Sequence, residues 1–280
     1  MKTRIITAIV AVFVLVPVLI FSDTWILPIA AAFCCALAVF EMLRCCGLNK
    51  KYALSVPLVL MGVLAPLSVR LFDSFSALIT YAVPVLLAIV FYFLAVMVFS
   101  KGKTSIEGVS VAGFTSFYII FAFVALLSLR YFEPMGAYVF LLVCIGAWIT
   151  DFFAYFCGML FGKHKLIPEV SPKKTVEGSI SGILFCGLSF IGYGLILQNA
   201  LKVIADVNFL QLFLYGVVVS VVSQIGDLSM SAIKRRYEIK DFGKIFPGHG
   251  GMLDRFDSIL AVSAVLFILN ELSGVFTSIS

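Results

Sequence analysis

The chain has 280 residues, 62% of them hydrophobic and only 12% charged, with a formal net charge of +5. A soluble globular protein carries about a quarter charged residues, so there is too little charge here to solvate a water-facing surface. Composition excludes a soluble globule and points to a membrane protein, as does a mean hydropathy of +1.14.

Taken in chain order, charge-free runs cover Ile5–Ser22, Thr24–Phe40, Tyr52–Val69, Ser74–Ser100 and Gly108–Leu129. Each approaches or exceeds the roughly 20 residues that a helix needs to cross the hydrocarbon. The first has a basic start, like a secretion signal. No small-x-small cleavage site precedes Asp23, so it is read as an uncleaved helix. Pro134–Gly162 follows with Asp151 inside it, then Gly178–Leu201, Val207–Gly226, and Ser258–Ser280 with Glu271 inside it. Nine transmembrane helices are therefore expected. Nothing alternates like barrel strands, and helices satisfy their own backbone in lipid, so the fold class is all-α polytopic membrane protein. Residues 1–130 hold the first five helices. Residues 131–280 hold the last four and two polar loops, about Lys163–Glu177 and Arg235–Asp257, within one integral membrane unit.

With the N-terminus inside, 17 of the 20 Lys and Arg fall on the cytoplasmic side, against Arg70, Arg130 and Lys202 on the other. So lopsided a split sets the N-terminus in the cytoplasm and the C-terminus opposite. The net positive charge is this inside bias and not a nucleic-acid footprint. None of the seven cysteines has zinc-site or disulfide spacing, and they read as small apolar residues in reduced form. Glu41, near the cytoplasmic end of its helix, can snorkel to water and receives no role. Glu271 is assigned a structural or interhelical one.

Polar chemistry gathers after residue 145. Ser223, Asp227, Ser231 and Lys234 recur at spacings of four, four and three, along one helix face. An acid inside a span costs about 2.5–3.5 kcal/mol, so Asp227 needs a partner. An internal pair with Lys234 or Ser231 would merely glue helices. A ligand stripe leading to Arg235 and Arg236 is the alternative. Downstream, Pro247-Gly248-His249-Gly250-Gly251 forms a turn whose backbone can approach an anion closely. Asp254 and Asp257 follow three residues apart around Arg255, suiting either a carboxylate site for Mg²⁺ or a helix cap with a local ion pair. The other loop, Ser171-Pro172-Lys173-Lys174-Thr175, offers charge and donors to phosphate, or is an ordinary positive-inside loop. Asp151 is divided evenly between a structural hydrogen bond and a site role. His164, between lysines, reads as solvated.

The run from Ser231 to Asp257 resembles the signature of the phosphatidate cytidylyltransferases, or CDP-diacylglycerol synthases, of bacterial type. Ser231, Lys234, Arg235, Lys240, Asp241, Gly243, Pro247, His249, Gly250, Gly251, Asp254, Arg255 and Asp257 stand at the signature's spacing. The resemblance implies transfer of CMP from CTP to phosphatidate at the bacterial inner membrane, with the site facing the cytoplasm. It implies catalytic roles for Asp227, Lys234 and Asp254, and Mg²⁺, in one or two copies, held by Asp227, Asp254 and Asp257. Ser171, Lys173, Lys174, Thr175, Ser231, Arg235, Lys240, His249, Gly250, Gly251 and Arg255 would bind substrate. The family also implies a homodimer. Three rival readings are a CTP-dependent lipid kinase, a transporter that relays protons or cations through Asp151 and Asp227, and a purely structural membrane protein. The last would leave the carboxylate–glycine cluster without a purpose.

Overall fold

The computed structural model describes residues 13, 16–100, 105–132, 135–204, 207–246, 248 and 250–275. Among them eight helices are long and apolar enough to cross a membrane. They are α1 (Ile26–Cys45), α2 (Tyr52–Ser68), α3 (Phe75–Phe99), α4 (Ile106–Tyr131), α5 (Gly136–Phe161), α6 (Val176–Leu195), α7 (Phe209–Arg236) and α8 (Leu253–Ser273). The protein is an all-α integral membrane protein. The expected first run, Ile5–Ser22, lies largely outside the described residues.

Helix starts follow local chemistry. The hydroxyls of Ser74, Ser105 and Thr175 accept from the amides of Ala77, Gly108 and Gly178, and the Asn208 side-chain carbonyl accepts from Gln211. Each satisfies an amide that the helix itself leaves unpaired. Thr175→Ala is expected to cost about 1 kcal/mol of stability, read as a lower thermal midpoint in detergent.

The chain divides into two units. In the first (Met1–Phe132 and Tyr237–Arg255), α1 packs on α2 and α4 around Met42, Leu43, Leu58, Ile119, Phe123 and Leu127. Most of α3 stays exposed, with only 6% of its most apolar window buried, an apolar surface suited to lipid contact.

In the second unit (Glu133–Arg236 and Phe256–Ser280), α5, α6 and α7 pack against one another over Leu142, Val143, Phe190, Leu212 and Val219. Polar side chains bridge these helices, which share little beyond close packing to hold them in lipid. Thr150 and Ser220 share a hydrogen bond of 2.9 Å, and the Ser179 hydroxyl donates to Gln224 at 2.5 Å. The stretch expected as a loop before α6 is an antiparallel hairpin, β1 (Lys165–Ile167) and β2 (Ser171–Thr175), pairing Lys165 with Thr175 and Ile167 with Ser171. Pro168 presets the turn, which closes through Val170 N–H donating to Ile167 O at 3.2 Å.

Candidate functional site

In the second unit the site begins with a close approach of two helices. A Cβ on Gly226 would come within 2.5 Å of the Ala261 Cβ, so only glycine lets α7 and α8 meet there. The neighbouring Asp227 then shares its surroundings with residues from three other elements. Lys174 reaches it from β2, with Nζ 2.5 Å from Asp227 Oδ2. The Ser231 hydroxyl donates to Asp227 Oδ1 at 3.5 Å, the long limit of a hydrogen bond. On α8 the Ser258 hydroxyl donates to Asp151 Oδ2 at 3.2 Å, and its amide donates to Asp257 Oδ1 at 2.9 Å. Asp151, Asp227 and Asp257 lie within electrostatic reach of one another. Lys174 acts on Asp151, and Lys234 on Asp257.

Lys174 is the conspicuous member of this group. Its ammonium nitrogen is buried and, although paired in charge with Asp227, has no well-directed hydrogen-bond partner. An ammonium carries three donors, and leaving them unmet is costly, so an acceptor from a ligand is expected there. Beside it opens a cavity of ≈ 340 Å³, lined in part by Asp151, Tyr155, Lys165, Lys173, Lys174 and Gln224. Its size falls in the range of small-molecule sites, and its lysines suit an anionic ligand.

The first unit holds the glycine loop. Asp254 Oδ2 accepts from Phe242 N–H at 2.8 Å and Gly251 N–H at 2.9 Å, tying the two ends of the loop together. Phe246 N–H donates to Gly250 O at 2.9 Å, and Gly248 and Gly250 take φ of 79° and 87°, conformations that favour glycine. The loop rests on the last turns of α1. Glu41 is 2% exposed, and its Oε1 and Oε2 accept from Met252 N–H at 3.1 Å and Leu253 N–H at 2.9 Å. One turn on, the Arg44 guanidinium donates to Phe242 O. A Cβ on Gly243 or Gly251 would overlap the Glu41 carboxylate. Two of the signature glycines therefore make room for an acid from the opposite end of the sequence.

Of the residues expected at the site, Asp227, Ser231, Lys234, Asp257 and Lys174 come together in the second unit. Lys173 and Thr175 line the cavity. Ser171 lies in the hairpin, and Arg235 Nε donates to Val170 O at 3.5 Å. Lys240, Gly250, Gly251, Asp254 and Arg255 belong to the first unit, so Asp254 and Asp227 are in different units. His249 lies outside the described residues. Asp254 does not cap α8; the amides at its start are taken by Glu41. Glu41 and Ser258 are the residues that sequence reasoning missed. The available signal for Glu41 was an acid three residues before Arg44 at the end of an apolar run, which alone names no partner.

A divalent cation suits the second unit's donors, which are hard carboxylate oxygens. Mg²⁺ is usually held by one or two carboxylates with substrate phosphate oxygens, and Asp227 and Asp257 supply such a pair. Among the described residues no three His, Cys, Asp or Glu side chains form a ready metal cage, so substrate oxygens would have to complete the shell.

A family model described as the cytidylyltransferase family matches residues 2–273. The chain belongs to the cytidylyltransferase family. It is a membrane-integral nucleotidyltransferase. Among curated proteins, the chain is similar to the phosphatidate cytidylyltransferase of Staphylococcus saprophyticus, 33% identical over 275 residues, covering 96% of this chain and 98% of that one. It is likewise similar to the phosphatidate cytidylyltransferase of Bacillus subtilis, 33% identical over 278 residues (96% and 97%). That of Staphylococcus aureus is 34% identical over 273 residues (96% and 98%). The family match runs through both units of the chain, so it takes in Glu41 and α1 as well as the glycine loop.

Proposed function

We propose that the chain transfers CMP from CTP to phosphatidate, releasing pyrophosphate and forming CDP-diacylglycerol. The observation that carries this reading is the group of Asp151, Asp227 and Asp257 with Lys174 and Lys234, beside a cavity whose lysines come from the hairpin and whose other walls are α5, α6 and α7. A lipid phosphate stays at the membrane while a triphosphate arrives from water, and such a group can serve both.

A phosphatidate phosphate oxygen attacks the α-phosphorus of CTP. The new P–O bond forms as the bond to the β-phosphate bridging oxygen breaks, and pyrophosphate leaves with that electron pair. No protein nucleophile is needed, and the chain's work is positioning and charge neutralisation. Of the three aspartates expected to hold Mg²⁺, Asp227 and Asp257 would do so from the second unit, while Asp254 Oδ2 accepts two loop amides in the first. The cation's charge, when bound, would offset that of the phosphates. Lys174, Lys173 and Lys234 counter phosphate charge, with Arg235, Lys240 and Arg255 contributing further positive charge. The Gly250–Gly251 turn brings backbone amides to the nucleotide, with Asp254 shaping it, and Ser231 supports Asp227. The 17-to-3 partition of basic residues supports a site facing the cytoplasm, at the bacterial inner membrane. The expected assembly is a homodimer.

Purified protein in detergent, given CTP, Mg²⁺ and phosphatidate, should release pyrophosphate in step with CDP-diacylglycerol. Formation of CDP and a newly phosphorylated lipid would instead identify a lipid kinase. Ion flux without nucleotide turnover would identify a transporter.

A further inference from the structure

The proposed reaction gives the first helices of the chain no task, yet the most deeply buried acid among them is committed to the glycine loop. Glu41 is 2% exposed, and each of its oxygens accepts one backbone amide, from Met252 and Leu253, more than two hundred residues away in sequence. The two amides meet separate oxygens of the carboxylate, and a carboxamide in the same pose would set its NH₂ donors against one of them. The amides open α8, where partial positive charge favours an anion. Arg44, one turn along α1, donates to Phe242 O at the other end of the loop. Both ends of the segment from Phe242 to Leu253 are thus pinned to a single turn of α1, and Asp254 Oδ2 ties the ends to each other.

We propose that Glu41, with Arg44, is a positioning clamp for the cytidylyl-transfer loop: α1 sets the orientation in which the Gly250–Gly251 backbone and the start of α8 meet the nucleotide. The clamp touches no reacting atom. It explains why Gly243 and Gly251 are glycines, since a Cβ on either would overlap the Glu41 carboxylate. It also gives the N-terminal half a share in the reaction that its scarcity of polar residues hides. The inference rests on the reading that the loop belongs to the CMP-transfer site.

The test compares the parent chain with Glu41→Gln, Glu41→Ala and Arg44→Met in detergent. Steady-state kinetics and hydrogen–deuterium exchange over 242–253 are measured on each. A fourth variant, Leu127→Ala, removes a fully buried core side chain of the same unit and serves as the stability control. Misplacing a positioned group by about 1 Å can cost about 10²-fold, so Glu41→Ala should lower kcat by about that factor and leave KM for phosphatidate within about twofold. Glu41→Gln keeps one acceptor and should recover part of the loss. Loop amides should exchange faster in both variants, while α4 keeps its protection. If Glu41→Ala does not fold, Glu41→Gln and Arg44→Met carry the test, each with a smaller loss of kcat and the same faster loop exchange. The clamp is overturned if the folded Glu41 variants turn over like the parent. It is equally overturned if the loop keeps its parental exchange, or if Leu127→Ala at a matched thermal midpoint loses as much kcat. A parent that makes no CDP-diacylglycerol overturns the proposed function instead, and the exchange measurement still reports whether Glu41 holds the loop.

Discussion

Replacing Asp227 by Asn should lower turnover by about 10²–10³-fold or more, the cost of removing a preorganised charge from a reacting centre. The substitution keeps shape and removes only the negative charge that pairs with Lys174 and, in the proposed reaction, helps hold the cation. The Lys174 ammonium would lose its anion, so the thermal midpoint must be measured beside the activity. Lys202→Ala, in the short connection between α6 and α7, is the matched control and should be silent. The outcome that removes Asp227 from the centre is a folded Asp227→Asn protein that retains turnover at saturating Mg²⁺.

Lys174→Met should produce two changes of opposite sign. The ammonium supplies positive charge to a substrate phosphate, so its loss should lower kcat/KM by about 10²-fold. The same ammonium lies 2.5 Å from Asp227 Oδ2 and competes there with any cation. Once it is gone, half-saturation should need less Mg²⁺, although the enzyme is slower. Lys174→Arg keeps the charge and should restore the parental Mg²⁺ requirement more fully than the rate, because the fork of a guanidinium does not replace a compact ammonium. An unchanged or increased Mg²⁺ requirement in Lys174→Met would show that Lys174 and the cation do not share Asp227. Lys174 would then be an ordinary substrate contact.

The membrane class and the helical fold were legible from composition and from the charge-free runs, because lipid leaves a backbone so few alternatives. Asp227, Lys234 and Asp257 were expected at one site, and the structure gathers them in one unit. The hairpin was not expected. Three and five residues of strand give too weak a pattern to stand out from a basic loop.

Spacing along a helix could suggest Lys234 or Ser231 as the partner of Asp227, since those contacts repeat with the helical turn. It could not suggest Lys174, because that contact exists only once the hairpin has folded beside α7. The same holds for Glu41, whose partners are backbone amides more than two hundred residues away and leave no mark in residue type. Periodicity and composition report what a segment needs from its immediate solvent. Which distant group answers an unpaired charge or amide is a matter of packing, and packing alone chose Lys174 for Asp227 and Glu41 for the start of α8.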